Sequence, residues 1–297
     1  MQRFIPNLWF DRTAEEAAGF YTSVFPESRI LDIQRYPSEG LPEFQQEFAG
    51  QALAVEFELA GVRFVGINAG SEFRPNPALS FMVNFDPSRD PAACERLDAA
   101  WAALSEGGTE MMGLGEYPFS PRYGWVEDRY GVNWQLILTD PEGEPRPTIM
   151  ASLLFGGPVQ NRAAEALQFY ADVFGGRIGT TAAYGEPTGP ATAEALMFAE
   201  VGVDGDWLVL MDSAVPQDFT FTPGASLMLE CADQAEIDRY WERLSAVPEA
   251  EQCGWCVDRF GVSWQVLPAN LRELMGANPD GHQRMLQMKK IEVAAFA

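Results

Sequence analysis

Histidine is almost missing from this chain: a single one, His282, occurs in 297 residues. Imidazole is the commonest transition-metal ligand and the commonest general base, so chemistry that needs two of them is excluded. Basic residues are scarce as well. Twenty Lys and Arg face 43 Asp and Glu, a formal charge of -23 that repels phosphate backbones and anionic lipid, so neither nucleic acid nor a membrane surface is an expected partner. Long apolar runs are also lacking. Nothing approaches the ~20 residues of a membrane span, and the stretch from Met1 to Asp11 holds no signal-peptide core, so the expectation is a soluble cytoplasmic protein.

What is present is a repeat. Gly124-Trp125-Val126-Glu127-Asp128-Arg129-Tyr130-Gly131-Val132-Asn133-Trp134-Gln135 returns without a gap as Gly254-Trp255-Cys256-Val257-Asp258-Arg259-Phe260-Gly261-Val262-Ser263-Trp264-Gln265. Asp-Arg-aromatic-Gly separates two short apolar runs in each copy, which predicts a hairpin with Gly131 and Gly261 at positive φ. The 47% hydrophobic content, with 8 Trp and 20 Phe, supplies two packed cores. Four cysteines include the pair Cys253-Gly-Trp-Cys256, whose CxxC spacing raises a redox or zinc site. On a strand that spacing points the thiols to opposite faces, and the first copy has none there, so reduced structural cysteines are expected.

Taken in order, a strand at Phe4–Phe10 precedes Thr13-Ala14-Glu15-Glu16, a capping-box pattern, and a helix with Ala17, Phe20, Tyr21 and Val24 on one face. The same set recurs as Ala166, Phe169, Tyr170 and Val173 after a strand at Ile149–Phe155, and Gly175-Gly176 stops that helix. Extended segments follow at Ile30–Tyr36, around Val55, Phe57 and Leu59, and at Arg63–Asn68; the second copy offers Ala195–Val201, a turn at Asp204-Gly205, and Trp207–Asp212. Strand Leu79–Phe85 then leads to a helix begun by Pro91 and carrying Leu97, Ala100, Trp101 and Leu104; Ser226–Cys231 and Ile237, Tyr240, Trp241 and Leu244 answer them. Each copy reads as strand, helix and three strands, twice over. The Pro- and Gly-rich linker Thr139–Pro147 places the division near 145, giving units 1–140 and 148–268 with a helical tail 269–297.

These elements and motifs resemble the vicinal oxygen chelate (glyoxalase, bleomycin-resistance and dioxygenase) superfamily, and its PhnB-like, 3-demethylubiquinone-9 3-methyltransferase-like branch in particular. Carrying the resemblance are Leu8-Trp9-Phe10-Asp11 with Ala14-Glu15-Glu16-Ala17 and Phe20-Tyr21; Asn68-Ala69-Gly70; Tyr117-Pro118-Phe119-Ser120-Pro121-Arg122-Tyr123-Gly124-Trp125; Met211-Asp212-Ser213 with Phe219-Thr220-Phe221; and both hairpins. It implies an α+β fold of two glyoxalase-like domains, each of paired βαβββ modules forming an open mixed-sheet cup with helices outside and a small ligand within. Fusion of two copies implies that pairing made between chains in single-copy relatives is made here within one chain, leaving homodimerisation open. Active members hold a divalent metal with His and Glu from the cup strands. Here no imidazole is available to a cup, and the usual last ligand, a Glu seven residues after the hairpin Asp, is Gln135 in one copy and Gln265 in the other, so no metal and no cofactor is expected. An S-adenosylmethionine fold would need alternating strands and helices with a Gly-rich first turn, which this chain lacks.

The candidate site residues follow from strand alternation and this geometry. Gln135 and Gln265 point to the cup floors, either to a ligand or as satisfied structural amides. Trp134, Trp264, Trp101 and Trp241 pack under the helices, while Trp125, Trp255, Phe81, Met82, Met211 and Met228 line the cups and suit a flat or apolar ligand. Glu56 and Glu58 project together from one strand, which makes Glu56 the candidate proton acceptor. Arg122, in a loop that the second copy lacks, either clamps an anion or pairs with a carboxylate. The tail, with Leu271, Leu274, Met275, Met285, Leu286, Met288 and Ile291, reads as amphipathic cover, and His282 as a surface residue. The expected function is capture of a small aromatic or apolar molecule in a metal-free cup, centred on the first copy. The alternative is an enzyme of the glyoxalase or dioxygenase class (isomerase, lyase or oxygenase).

Overall fold

The computed structural model describes every residue except 1, 40, 42, 279 and 297, and the side chains of all described residues but 44 and 45. The chain runs through four modules. The first is β1 (Ile5–Phe10), α1 (Ala14–Val24), β2 (Arg29–Arg35), β3 (Ala52–Leu59) and β4 (Val62–Asn68). The second is β5 (Leu79–Phe85), α2 (Ala93–Ser105), β6 (Thr109–Tyr117), β7 (Ser120–Glu127) and β8 (Asn133–Leu138). The third repeats the order as β9 (Ile149–Phe155), α3 (Ala163–Phe174), β10 (Arg177–Ala183), β11 (Leu196–Val203) and β12 (Asp206–Asp212). The fourth is shorter: β13 (Ala225–Cys231), α4 (Gln234–Leu244), β14 (Trp255–Val257) and β15 (Ser263–Pro268), with no strand answering β6 among the described residues. Two short helices, α5 (Leu271–Ala277) and α6 (Gly281–Leu286), form the tail. Among the described residues no helix is long and apolar enough to cross a membrane.

The modules pair crosswise. The seven-stranded sheet has the order β14-β15-β13-β1-β4-β3-β2, so it joins the fourth module to the first; the eight-stranded sheet, β10-β11-β12-β9-β5-β8-β7-β6, joins the third to the second. Each cup therefore takes half of its wall from each repeat, where the sequence suggested one cup per repeat. The reason is local. Only residues 139–148 separate β8 from β9, and that short link delivers β9 antiparallel to β5, with Ser80 opposite Ser152 and Met82 opposite Met150. The other seam sets β1 against β13, with Asn7 opposite Ser226. The pairing of the two repeats is thus intramolecular.

One apolar core lies between the sheets and their helices. Trp134 and Trp264 are fully buried there, Trp134 against Tyr21, Phe25, Phe64 and Phe81, and Trp264 against Tyr170 and Phe174. Trp101 joins this core and Trp241 packs half-buried on it. Two smaller apolar clusters sit on the opposite faces of the sheets, one around Met82, Met150, Trp207 and Val209, the other around Ile5, Val65 and Met228. These mark the concave faces.

The repeated hairpin earns its conservation between copies through one buried carboxylate. Asp258 accepts the backbone N–H groups of Phe260 and Val262, the Trp264 indole N–H at 2.8 Å and the Tyr170 hydroxyl at 2.7 Å. Asp128 holds Tyr130, Val132 and Trp134 in the same way. Burial pushes both carboxyls up, against the pull of these donors. Gly131 and Gly261 have φ of 85° and 91°, which closes each turn as expected.

The capping box is not formed. The Thr13 side chain makes no cap bond; instead Asn68, at the end of β4, accepts the Ala14 N–H at 3.0 Å, and Asp212, at the end of β12, accepts the Ala163 N–H at 3.2 Å. The first turn of each of these helices is tied to its own sheet, a tertiary cap that no local pattern announces. Gly175 does end α3, at φ 64°.

Candidate functional site

The eight-stranded cup encloses a cavity of about 600 Å³, within the range of small-molecule sites. Alternation delivers its lining. Met82 on β5 stands beside Gln135 on β8, Gln135 beside Trp125 on β7, and Trp125 beside Met112 on β6; on the other half Leu154 stands beside Met211, and Met211 and Phe198 pack on the same apolar cluster. Met111 and Met197 reach the rim, 40% and 43% exposed. The wall is thioether and aromatic, a soft surface that adapts to a flat guest.

At the floor lies Gln135, fully buried. Its Oε1 accepts the Tyr123 hydroxyl at 2.6 Å, and its Nε2 donates to Ser80 Oγ at 2.8 Å and to Ser152 Oγ at 3.4 Å. Burial pushes the Tyr123 phenol well up, so it stays protonated and keeps donating. The amide is satisfied from within the protein. Past Met82, Ile137 and Phe198 the cavity gives way to a charged compartment of about 610 Å³, where Arg146 of the linker meets Glu200 at 2.6 Å and stacks 3.9 Å above the Trp207 ring.

The seven-stranded cup has a different floor. Gln265 donates to Ser226 Oγ at 3.1 Å, and Ser226 donates to the Asn7 carbonyl at 3.5 Å. Gln265 stands between Met228 on one side and Trp255 on the other, and Trp9 meets Trp255 edge-on with ring centroids 6.3 Å apart. Glu56 projects from the wall toward Arg63, which also takes Glu230 in a two-point contact at 3.0 Å. Arg272 of α5 reaches across to Asp32 on β2 at 2.7 Å, so the tail straps the two edges of this sheet together. His282 is exposed on α6.

The candidates named from sequence thus divide. Met82, Trp125, Gln135 and Met211 gather in the eight-stranded cup; Glu56, Met228, Trp255 and Gln265 gather in the other. Phe81 belongs to neither. It pairs with Trp134 in register, faces the helices and is fully buried, because the residue next to a cup-facing Met82 must point the other way. Arg122 also lies outside the cups: its Nε donates to Asp98 on α2 at 2.8 Å, the carboxylate-pairing alternative. Its segment is not a loop, since β6 and β7 form a hairpin that turns at Pro118 and Phe119. Missing β6 hid Met111 and Met112; Tyr123 stands in the Tyr117–Trp125 motif without a role being read from it, and Ser80, Ser152 and Asn7 carry no motif of their own. Only register with Gln135 and Gln265 could have found them.

A model of one protein family, described as 3-demethylubiquinone-9 3-methyltransferase, matches residues 2–137 and again 147–267. The chain belongs to this family. It is a tandem member of the 3-demethylubiquinone-9 3-methyltransferase (PhnB-like) family. A Bacillus cereus PhnB protein, described as a candidate 3-demethylubiquinone-9 3-methyltransferase, shares 36% identity over 46% of this chain and 100% of its own, at a TM-score of 0.40. A glyoxalase I variant from Zea mays aligns over 91% of this chain and 94% of its own with 12% identity and a TM-score of 0.54, and a candidate dioxygenase from Bacillus subtilis over 90% and 84% with 10% identity and a TM-score of 0.51; both share the fold. No curated protein matches the chain.

The superfamily's metal can be tested against the tandem PhnB-like floors. The donors gathered around Gln135 are two serine hydroxyls and a phenol, and those around Gln265 are a serine and an asparagine amide. Neutral amides and hydroxyls bind transition ions weakly, and among the described residues no group of three His, Cys, Asp or Glu could hold one. The residues present do not fit the metal. Cys253 and Cys256 are free, and burial pushes both thiols up, so neither is a ready thiolate.

Proposed function

We propose that the eight-stranded cup captures a small apolar or aromatic molecule, so that the chain works as a binding protein. The observation that carries this reading is a cavity of about 600 Å³ walled by methionines and aromatic rings above a floor amide with every hydrogen bond made internally. Such a site gains affinity from apolar area and shape, at about 25 cal/mol per Å² of apolar surface removed from water. Methyl transfer finds support only in the family description, since the sheets are built from βαβββ runs with no Gly-rich first turn.

Titration with the neutral dye Nile red tests the reading by fluorescence. Met111 and Met197 are exposed rim residues, so Met111→Glu and Met197→Glu leave folding intact. Each should weaken dye binding about tenfold or more by charging the entrance. Dye binding that neither variant alters would place the apolar site elsewhere and refute the reading.

A further inference from the structure

The two floors share a Gln-Ser pair and differ in what completes it. In the eight-stranded cup Tyr123 satisfies the Gln135 carbonyl; the position that answers Tyr123 in the second hairpin is Cys253, which sits at φ 54° and offers no such donor. Among the described residues nothing donates to Gln265 Oε1. Where Ser152 stands across the other seam, this cup has Asn7, 3% exposed, whose Oδ1 is buried with no hydrogen-bond partner among the described residues. Neither acceptor on this concave floor has a donor among the described residues, and Asn7 Oδ1, the buried one, is expensive enough to call for one.

The surroundings say what kind of donor. Ile5, Val65 and Met228 make the floor apolar around the amides, and Trp9 and Trp255 rise beside it. Higher on the wall stand three carboxylates, Asp32, Glu56 and Glu230, against two guanidiniums, Arg63 and Arg272. An anion is disfavoured there, and a cation with N–H groups is favoured by the charge, by the open amide oxygens and by the indole faces. We propose that the seven-stranded cup is a second binding site, selective for a small primary amine with a compact apolar or aromatic body, its ammonium set on Asn7 Oδ1 and Gln265 Oε1. This goes beyond the capture of an apolar guest by the other cup and does not depend on it.

The test is thermal shift and calorimetry on the full chain with three probes of one shape: 2-phenylethylamine, 2-phenylethanol and phenylacetate. The amine should raise Tm and bind at least about tenfold more tightly than the alcohol, with no response to the carboxylate. Asn7→Leu should remove the amine response while leaving the free chain as stable as before or more so, because it deletes an unpaired buried group. Asn7→Ser, which copies the other cup, gives the same readout should the leucine variant not fold. The proposal is overturned by no shift with amine up to about 10 mM, by equal responses to all three probes, or by a response that survives both Asn7 variants. Nile red reports on the other cup separately, so each reading can fail alone.

Discussion

The eight-stranded and seven-stranded cups begin from the same Gln and Ser and reach opposite chemistry. In one, Tyr123 and Ser152 close every bond of Gln135; in the other, Cys253 and Asn7 leave two acceptors open. The charged pairs on the walls differ in parallel. Arg146 and Glu200 are buried, with side chains 12% and 4% exposed, whereas Arg63 and Glu230 are 31% and 17% exposed. One cup has spent its polar groups on rigidity and the other keeps them available, and both outcomes are set by residues beside the shared motif.

The largest expected effect separates the two ion pairs. Arg146→Ala strips Glu200 of its partner in a buried place and removes the cover over Trp207, so it should cost about 3–5 kcal/mol. Arg63→Ala, in a half-open place where water can take over, should cost about 1 kcal/mol. Urea unfolding of both variants reads the difference, and equal costs would erase the contrast. The next effect concerns the floors. Gln135→Leu leaves the Tyr123 and Ser80 hydroxyls without their partner, for a loss of roughly 2–4 kcal/mol, while Gln265→Leu removes one bond to Ser226, which keeps the Asn7 carbonyl, for about 1 kcal/mol. A reversal of that order would mean that the seven-stranded floor is the tighter of the two.

The smallest effect is that of pH, and it is shared by both repeats. Asp128, Asp206, Asp212 and Asp258 all have carboxyls pushed up by burial, so their ionised forms cost stability in the folded chain. That cost is complete above the folded pKa and is relieved as pH falls through it. Acidification also lowers the self-repulsion of a chain at -23. The exposed, ion-paired or hydroxyl-bonded Asp86, Glu144, Glu165, Asp238 and Glu251 shift the other way, and their contribution is lost only below about pH 4. Tm should therefore rise as pH falls below neutrality before it collapses in stronger acid. A Tm that falls steadily from pH 7 downward would contradict this sign.

Much of this architecture was legible in the residues. The hairpin glycines, the Trp and Gln facing opposite ways, and strands such as Leu79–Phe85 and Ile149–Phe155 follow from period and turn chemistry, which are local. What escaped was non-local. Asn68 and Asp212 cap helices from across a loop, β9 chooses β5 as its neighbour, and Tyr123 meets Gln135 only because two strands lie in register. Strand β6 escaped for another reason: Met111, Met112, Gly113, Leu114 and Gly115 give no clean alternation, and its ladder slips at three points along β7.

The crosswise seams also set a timetable. Ser80 and Ser152 come together across one short linker, so the eight-stranded sheet can close while the chain is still being made. Asn7 and Ser226 are 219 residues apart, and the seven-stranded sheet must wait for its last module while β1 keeps an unpaired edge. During that wait the first module is exposed to wrong partners, among them the same strand of another nascent chain. Slow maturation and exchanged dimers are the hazards that this connectivity carries, and they fall on the cup whose floor is left open.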